Sequence, residues 1–179
     1  MHSPTISLIS PFPVEDAALS YKWHKYTTTC INGRSFNKQT YLIGLWELLR
    51  REGVWSWAIT NEKGSVGIVI FEPIFRNREL VDGSIHIALD RSVWGRGVIE
   101  DVSQEILQEL FSKTPSLLRV SGYTPSNYKP GLVVAERLGF KVEGCLRGAV
   151  RIDGKTRDLI ITGFTREQWE KSKIAGEGI

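Results

Sequence analysis

The sequence lacks the features that mark membrane proteins and secreted proteins. It contains no apolar run of about 18 residues, the length that a membrane-crossing helix requires. Its first residues do not combine a basic flank with an apolar segment, which is the pattern of a secretory signal. We therefore expect a cytoplasmic protein that has no membrane partner.

Cysteine is scarce, and its positions do not indicate a metal site. The two cysteines, Cys30 and Cys145, lie far apart and fit no metal-ligand spacing. Reduced thiols are typical of cytoplasmic proteins. The sequence therefore predicts two free thiols and no bound metal.

A strong charge of either sign is also missing. The net charge is +3, and the basic residues are dispersed rather than gathered in a run. Such a composition does not require a nucleic-acid partner. The apolar fraction of 41% and the charged fraction of 24% are typical of a globular protein, and 179 residues suffice for one domain with its own core.

The most informative stretch joins a strand to a helix through two glycines. Residues 84–90 alternate polar and apolar side chains, as a strand does, and residues 99–111 place their apolar side chains on one helical stripe. Between them, residues 94–97 read Trp-Gly-Arg-Gly. Glycines at a helix start let an anion approach the unpaired N–H groups there, so the pattern is typical of a phosphate-binding turn. It is also found in plain tight turns, and both interpretations stay open at this point.

The other elements follow from periodicity and from the positions of glycine and proline. Further strands are predicted at residues 5–9, 54–59, 65–71, 116–121, 140–147 and 158–164, and helices at residues 14–26, 37–51 and 132–138, with a helical turn at 165–169. Residues 27–36, 72–79 and 122–131 are expected to be loops. This order, β-α-α-β-β-β-α-β-α-β-β, predicts a mixed α/β fold with one layer of sheet flanked by helices.

Three patches carry a family resemblance: residues 94–97, residues 136–144 and residues 158–169. Taken in this order, they resemble the GNAT N-acyltransferase superfamily, and most of all its branch of ribosomal-protein N-terminal acetyltransferases. Residues 94–97 resemble that branch's Trp-Gly-Lys/Arg-Gly. Residues 136–144, Glu-Arg-Leu-Gly-Phe-Lys-Val-Glu-Gly, are similar to its Glu-Lys-Leu-Gly-Phe-x-x-Glu-Gly. Residues 158–169 resemble its closing Asp…Gly…Thr/Arg-x-x-Trp. The patches cover the last hundred residues or so, and the N-terminal half matches in element order alone.

The resemblance implies an enzyme that moves an acetyl group from acetyl-CoA to a primary amine, either a protein N-terminus or a small molecule. It implies one domain over residues 1–170, with a mixed, mostly antiparallel twisted sheet of about seven strands and about four helices. Residues 171–179 are expected to be a disordered tail. The protein is expected to be a monomer or a homodimer, with no metal and no nucleic acid.

The resemblance also assigns the site that holds acetyl-CoA. The main chain of residues 87–90 would pair with the pantetheine arm as an added strand, and the main chain after Trp94 would hold the pyrophosphate. Asn127 resembles a family asparagine that contacts the cofactor arm, although it stands one residue away from the usual spacing. The cofactor-binding residues are thus expected to be Ile87, Ala88, Leu89, Trp94, Gly95, Arg96, Gly97, Val98, Ile99 and Asn127.

Three positions depart from the family pattern. Ile99 stands where glycine or alanine is usual, and its larger side chain would crowd the phosphates. Ala135 stands where many members have the tyrosine that protonates the leaving thiolate, and Gly131 stands where others have serine. Tyr123 and Tyr128 are the candidates for the missing acid, together with Ser126 and water.

His86 is the candidate general base. The alternation of residues 84–90 places His86 on the same side of the strand as Ala88 and Asp90. It stands just before the segment expected to pair with pantetheine. An imidazole with an ordinary pKa of about 6.5 is suited to take a proton from an amine. A histidine that only satisfies hydrogen bonds within the sheet is the alternative.

Two further functions are compatible with the sequence. The missing acid and Ile99 favour a catalytically silent module that binds CoA or a partner. A GNAT-like enzyme that modifies nucleobases is the other alternative, and the small net charge argues against it.

Overall fold

The computed structural model describes residues 6–24, 38–152 and 154–174. The strands are β1 (Ser7–Ile9), β2 (Trp55–Asn61), β3 (Gly64–Arg76), β4 (Glu79–Leu89), β5 (Arg119–Pro125), β6 (Lys141–Ile152) and β7 (Lys155–Thr165). The helices are α1 (Ala17–His24), α2 (Lys38–Leu49), α3 (Val98–Lys113), α4 (Lys129–Arg137) and α5 (Arg166–Ile174). The predicted loop at 27–36 lies outside the described residues.

All seven strands form one sheet in the order β1-β2-β3-β4-β5-β7-β6. Among the strands of the described ranges, only β4 and β5 are parallel, and every other neighbouring pair is antiparallel. The predicted mixed, mostly antiparallel sheet is therefore confirmed. The described residues contain five helices rather than about four, because the predicted final helical turn is the full helix α5.

The two faces of the sheet carry separate hydrophobic cores. On one face, the apolar stripe of α3 is buried, with Val102, Ile106 and Leu110 at most 3% exposed. On the other face, α1 and α2 pack Trp23 and Leu45 against β2, β3 and β4. Burying a leucine or isoleucine side chain contributes about 2 kcal/mol, so these contacts anchor the helices on both sides of β4.

Strands β3 and β4 form a long hairpin, so the expected connection at residues 72–79 is wrong. Arg76 pairs with Glu79 across a two-residue turn at Asn77 and Arg78, whose φ angles of 52° and 67° suit a tight hairpin turn. Strand β2 pairs with β3 only as far as Phe71, two residues before Pro73. Pro73 is therefore tolerated, because no hydrogen bond to β2 requires the N–H group that proline lacks.

Two more boundaries differ from the prediction. Most of the expected loop at 122–131 is regular, because β5 continues to Pro125 and α4 begins at Lys129. Helix α5 extends to Ile174 and so includes the first four residues of the predicted tail. The Lys173 ammonium lies 3.7 Å from the centre of the buried Trp169 ring, which holds this last turn against the core. Residues 175–179 lie outside the described residues.

Among the described helices, none is both long enough and apolar enough to span a bilayer.

Candidate functional site

Strands β4 and β5 separate after one pair of neighbouring residues. Ser84 and Ser121 are register partners, and within the described residues the ladder between the two strands contains no other register pair. On its other side β5 pairs with β7 along its whole length, from Arg119 opposite Thr165 to Pro125 opposite Leu159. A gap therefore opens between the carboxyl-terminal halves of the two parallel strands.

The main chain of β4 directs alternate peptide groups toward this gap. The Asp90 N–H donates to the Val66 carbonyl of β3 at 2.8 Å, so even-numbered residues of β4 face β3. The Leu118 N–H donates to the Val81 carbonyl at 2.9 Å, so odd-numbered residues face β5. Beyond Ile85, where β5 has diverged, the peptide groups of Ile87 and Leu89 therefore point into the gap, where an extended chain can lie alongside β4.

A cavity of about 600 Å³ occupies the gap. On the β4 side it is lined by Ile85, Ile87 and Leu89, so this wall is apolar. Val134 of α4 and the buried Phe140 line the opposite part. A cavity of this size and lining is typical of a site for an organic ligand.

The cavity reaches the glycine turn before α3. Gly95 and Gly97 line it with φ angles of +68° and +75°, and a Cβ at either position would meet nothing within 4 Å. No side chain caps α3. Its first helical bond runs from the Asp101 N–H to the Gly97 carbonyl at 3.1 Å, so the N–H groups of residues 98–100 have no helical acceptor. This turn fits a phosphate group held by main-chain donors.

Charged side chains stand where α3 and α4 approach each other. Lys129 and Arg137 of α4 line the cavity, together with Glu100 from the first turn of α3. Arg137 Nη1 lies 3.2 Å from Glu100 Oε1, which makes an ion pair between the two helices. Arg96 is exposed and is not among the residues that line the cavity.

Trp94 lies at the carboxyl-terminal end of β4. Its indole Nε1–H donates to the Leu89 carbonyl at 3.2 Å, and its ring lines the cavity. The Arg91 guanidinium lies 5.7 Å from the centre of that ring, within cation–π range. Trp94 thus links the glycine turn to the strand edge.

Two tyrosines line the cavity near the end of β5. Tyr123 belongs to β5, and Tyr128 stands just before α4. A Cβ at Gly131 would lie 2.8 Å from Tyr128 Cδ1, so the ring occupies the space that a larger residue would need. Burial raises the pKa of the Tyr128 hydroxyl above 10.0, so this group keeps its proton at neutral pH. Asn127 is exposed and is not among the cavity residues.

His86 lies on the other face of β4, close to the point where the strands separate. Its Nε2 is 3.0 Å from the Ser84 hydroxyl and 3.8 Å from Glu72 Oε2. Its side chain is only 22% exposed. Burial lowers the pKa of His86 below 6.5, and the Glu72 carboxylate opposes this shift. The ring is therefore neutral at pH 7.

Glu72 is a polar neighbour of His86 that the sequence did not indicate, and Arg51 is its partner. Arg51 Nη1 lies 2.8 Å from Glu72 Oε1, so the two residues form an ion pair. Glu72 is the register partner of Ser84, and it was missed because Pro73 made this part of β3 resemble a loop. Extending the strand through Pro73 would have placed Glu72 diagonally beside His86.

The described residues contain no group of three or more histidine, cysteine, aspartate or glutamate side chains that could hold a metal ion.

The structure gathers most of the predicted site residues at the cavity and leaves four apart. Ile99 lines the cavity and also packs against the core, so its side chain is partly turned away from the opening. The predicted residues that line the cavity are Ile87, Leu89, Trp94, Gly95, Gly97, Val98, Ile99, Tyr123 and Tyr128. Those that do not line it are His86, Ala88, Arg96 and Asn127.

Residues 8–141 match the family model of the acetyltransferase (GNAT) domain. Among curated proteins, the chain is similar to the [ribosomal protein uS5]-alanine N-acetyltransferase of Escherichia coli (strain K12). The two are 27% identical over 115 residues, which is 61% of this chain and 55% of the relative. The chain therefore spans about half the length of the curated relatives it matches.

Solved structures share the whole fold. Mycobacterium smegmatis RimJ, in complex with CoA-disulfide, superposes with a TM-score of 0.73 at 18% identity, over 98% of this chain and 91% of that one. A spermidine N-acetyltransferase SpeG chimera from Vibrio cholerae and hSSAT gives a TM-score of 0.75 at 13% identity, over 92% of this chain and 98% of that one. At these identities the likeness extends to the fold alone.

Proposed function

Because the chain belongs to the GNAT acetyltransferase family, we propose that it transfers an acetyl group from acetyl-CoA to a primary amine. The observation that carries this proposal is the gap between β4 and β5, which runs from the Ser84–Ser121 pair to the glycine turn before α3. One end offers a strand edge for an extended arm, and the other offers main-chain donors for a diphosphate.

The residues present fit acetyl-CoA along the length of the gap. The main chain of Ile87 and Leu89 would hold the pantetheine arm, beside the apolar wall of the cavity. Ala88 lies between them and turns its own peptide groups toward Ile68 of β3. Residues 95–99 would hold the pyrophosphate, because space is open at both glycines and α3 has no side-chain cap. Trp94, Arg96 and Asn127 would stand at the margins of this site. Acetyl-CoA would supply the activated acetyl thioester.

His86 is proposed to take the proton of the acceptor amine. It is neutral at pH 7 and lies beside the point where β4 and β5 part, on the face opposite the α3 core. The amine would therefore reach the thioester from the α1–α2 face. As the C–N bond forms and the C–S bond breaks, one amine proton would pass to the imidazole.

Tyr128 is the proposed acid for the leaving thiolate, with Tyr123 as the other candidate. Both rings line the cavity. Burial keeps the Tyr128 hydroxyl protonated, as a proton donor must be. Its ring also covers Gly131, the position at which other family members carry serine.

The acceptor is proposed to be a primary amine of a protein N-terminus or of a small molecule. The named relatives include an enzyme for the alanine of ribosomal protein uS5 and one for spermidine. Both acceptors carry primary amines. We propose that the protein acts in the cytoplasm, as a monomer or a homodimer, without a membrane, metal or nucleic-acid partner.

A combined binding and turnover experiment tests this proposal. Acetyl-CoA should raise the melting temperature by several degrees at saturating concentration, because a ligand that binds only the folded state stabilises it. Free CoA thiol should then appear when an alanine-initiated peptide or spermidine is added. Absence of both binding and turnover would overturn the proposal.

A catalytically silent CoA-binding module is the second candidate. The observation in its favour is that Ala135 lines the cavity where many family members carry their acidic tyrosine. Binding of acetyl-CoA without thiol release, over a broad panel of amines, would support this candidate and exclude the first.

A further inference from the structure

Within the part of the chain that the structure describes, the polar neighbours of the His86 imidazole lie at one nitrogen. Nε2 lies 3.0 Å from the Ser84 hydroxyl and 3.8 Å from Glu72 Oε2. The serine hydroxyl can donate or accept, whereas an ionised carboxylate accepts only. Glu72 forms an ion pair with Arg51, whose Nη1 lies 2.8 Å from the other carboxylate oxygen.

This arrangement favours one of the two tautomers of the neutral His86 ring. A hydrogen on Nε2 points positive charge toward Glu72, whereas a lone pair there would face a negative carboxylate. The Ser84 hydroxyl can rotate, so it can accept a hydrogen bond from Nε2–H. A neutral ring with its hydrogen on Nε2 therefore suits both neighbours and leaves the basic lone pair on Nδ1.

We propose that Glu72 is a positioning residue, which holds His86 in the Nε2–H form so that Nδ1 receives the proton of the acceptor amine. This proposal rests on the proposed function, because it refers to the same transfer. When the amine nitrogen bonds to the acetyl carbon and the C–S bond breaks, the proton moves from that nitrogen to Nδ1. The resulting imidazolium then stands 3.8 Å from the Glu72 carboxylate, which stabilises its charge.

Other charged groups on this face are already engaged with partners of their own. Asp82 of β4 lies 3.5 Å from Arg119 Nε of β5, so these two charges offset each other. Asp90, at the far end of β4, accepts a hydrogen bond from the Ser92 N–H, and Lys22 of α1 acts on Asp90. Glu72 is therefore the charge that acts on His86 most directly.

Glu72→Gln separates this role from simple support of the fold. The glutamine keeps the shape and removes the charge, and Glu79→Gln, at the exposed start of β4, is the matched control. Nitrogen NMR of ¹⁵N-histidine protein, with His86→Gln to assign the signals, reports the tautomer directly. We expect the Nε2–H form in the wild type and in Glu79→Gln, and a mixture of tautomers in Glu72→Gln.

Kinetics give the second measurement. We expect Glu72→Gln to lower kcat by roughly 10- to 100-fold with little change in KM, and to shift the acidic limb of the pH profile to lower pH. Glu72→Asp should recover part of the rate. If Glu72→Gln does not fold, Arg51→Gln tests the same carboxylate. It should shift the acidic limb of the pH profile to higher pH, because the cation that offsets Glu72 is lost.

The outcomes distinguish this inference from the proposed function. An Nδ1–H tautomer in the wild type, or an unchanged tautomer and pH profile in Glu72→Gln, would overturn the inference while leaving acetyl transfer intact. Loss of acetyl-CoA binding by the wild type would overturn the proposed function, and the NMR result would still report whether Glu72 sets the tautomer.

Discussion

Arg137 Nη1 lies 3.2 Å from Glu100 Oε1, so an ion pair joins the last turn of α4 to the first turn of α3 at the cavity. Glu100 places a negative charge beside the donors proposed for the diphosphate, and Arg137 offsets it. We therefore expect Arg137→Gln to weaken CoA binding several-fold and Glu100→Gln to strengthen it, with both effects smaller at high salt.

Titration of each variant with CoA at two salt concentrations measures these effects. Lys63→Gln, in the exposed turn between β2 and β3, changes one charge at a distance and serves as the control. Equal affinities for Arg137→Gln, Glu100→Gln and Lys63→Gln would show that the ion pair does not act on the bound anion.

Gly97 is expected to tolerate no side chain without loss of binding. Its φ of +75° costs a non-glycine residue about 1–2 kcal/mol, and a side chain would enter the open space before the α3 amides. We expect Gly97→Val to fold with reduced stability and to lose the CoA-induced rise in melting temperature. Gly154→Val, also at positive φ but away from the cavity, should lose stability and keep the rise.

Tyr128→Phe should lower kcat by about 10²-fold while CoA affinity stays unchanged, because the hydroxyl is proposed to protonate the thiolate. Tyr123→Phe should have the smaller effect. Gly131→Ser should also lower kcat, since its Cβ would stand 2.8 Å from Tyr128 Cδ1 and displace the ring. Steady-state kinetics decide between the tyrosines, and an unaltered kcat in Tyr128→Phe would remove it from the mechanism.

Stability should fall with decreasing pH because of His86. Burial holds its folded-state pKa below 6.5, so the unfolded chain binds the proton more readily. The contribution of His86 to stability is therefore complete above pH 6.5 and is lost as the pH falls from 6.5 to the folded-state pKa. Urea denaturation from about pH 8 to about pH 5 should show a smaller loss of unfolding free energy in His86→Gln. Parallel curves for the two proteins would contradict this.

The α3 core should be sensitive to truncation. Leu107 is 0% exposed, and Leu107→Ala should lower the unfolding free energy by about 2–5 kcal/mol. Leu118 is 58% exposed, and Leu118→Ala should change it by less than about 0.5 kcal/mol. Equal effects in denaturant titrations would contradict the assignment of this face.

The fold was predictable where the pattern was periodic and failed where it was interrupted. The alternation of residues 84–90 and the apolar stripe of α3 predicted β4, α3 and the glycine turn between them. Pro73 hid the second half of β3, since nothing in the sequence shows that its neighbour β2 ends at Phe71. The last turn of α5 depends on Lys173 packing over Trp169, a contact with no sequence signature.

The site was predictable only in part, for a physical reason. The glycines and Trp94 stand together in the sequence, so their motif indicated the turn. The neighbours of His86 are brought together by strand register, which places Glu72 opposite Ser84 across the hairpin. The packing of Tyr128 over Gly131 likewise depends on how α4 begins.

A crystal structure with CoA tests the central claim most directly. We expect the diphosphate oxygens at about 2.7–3.2 Å from main-chain nitrogens of residues 95–99, with the pantetheine arm alongside β4 in the gap. A diphosphate bound elsewhere, or excluded from this turn by the Ile99 side chain, would contradict the proposed acetyl transfer.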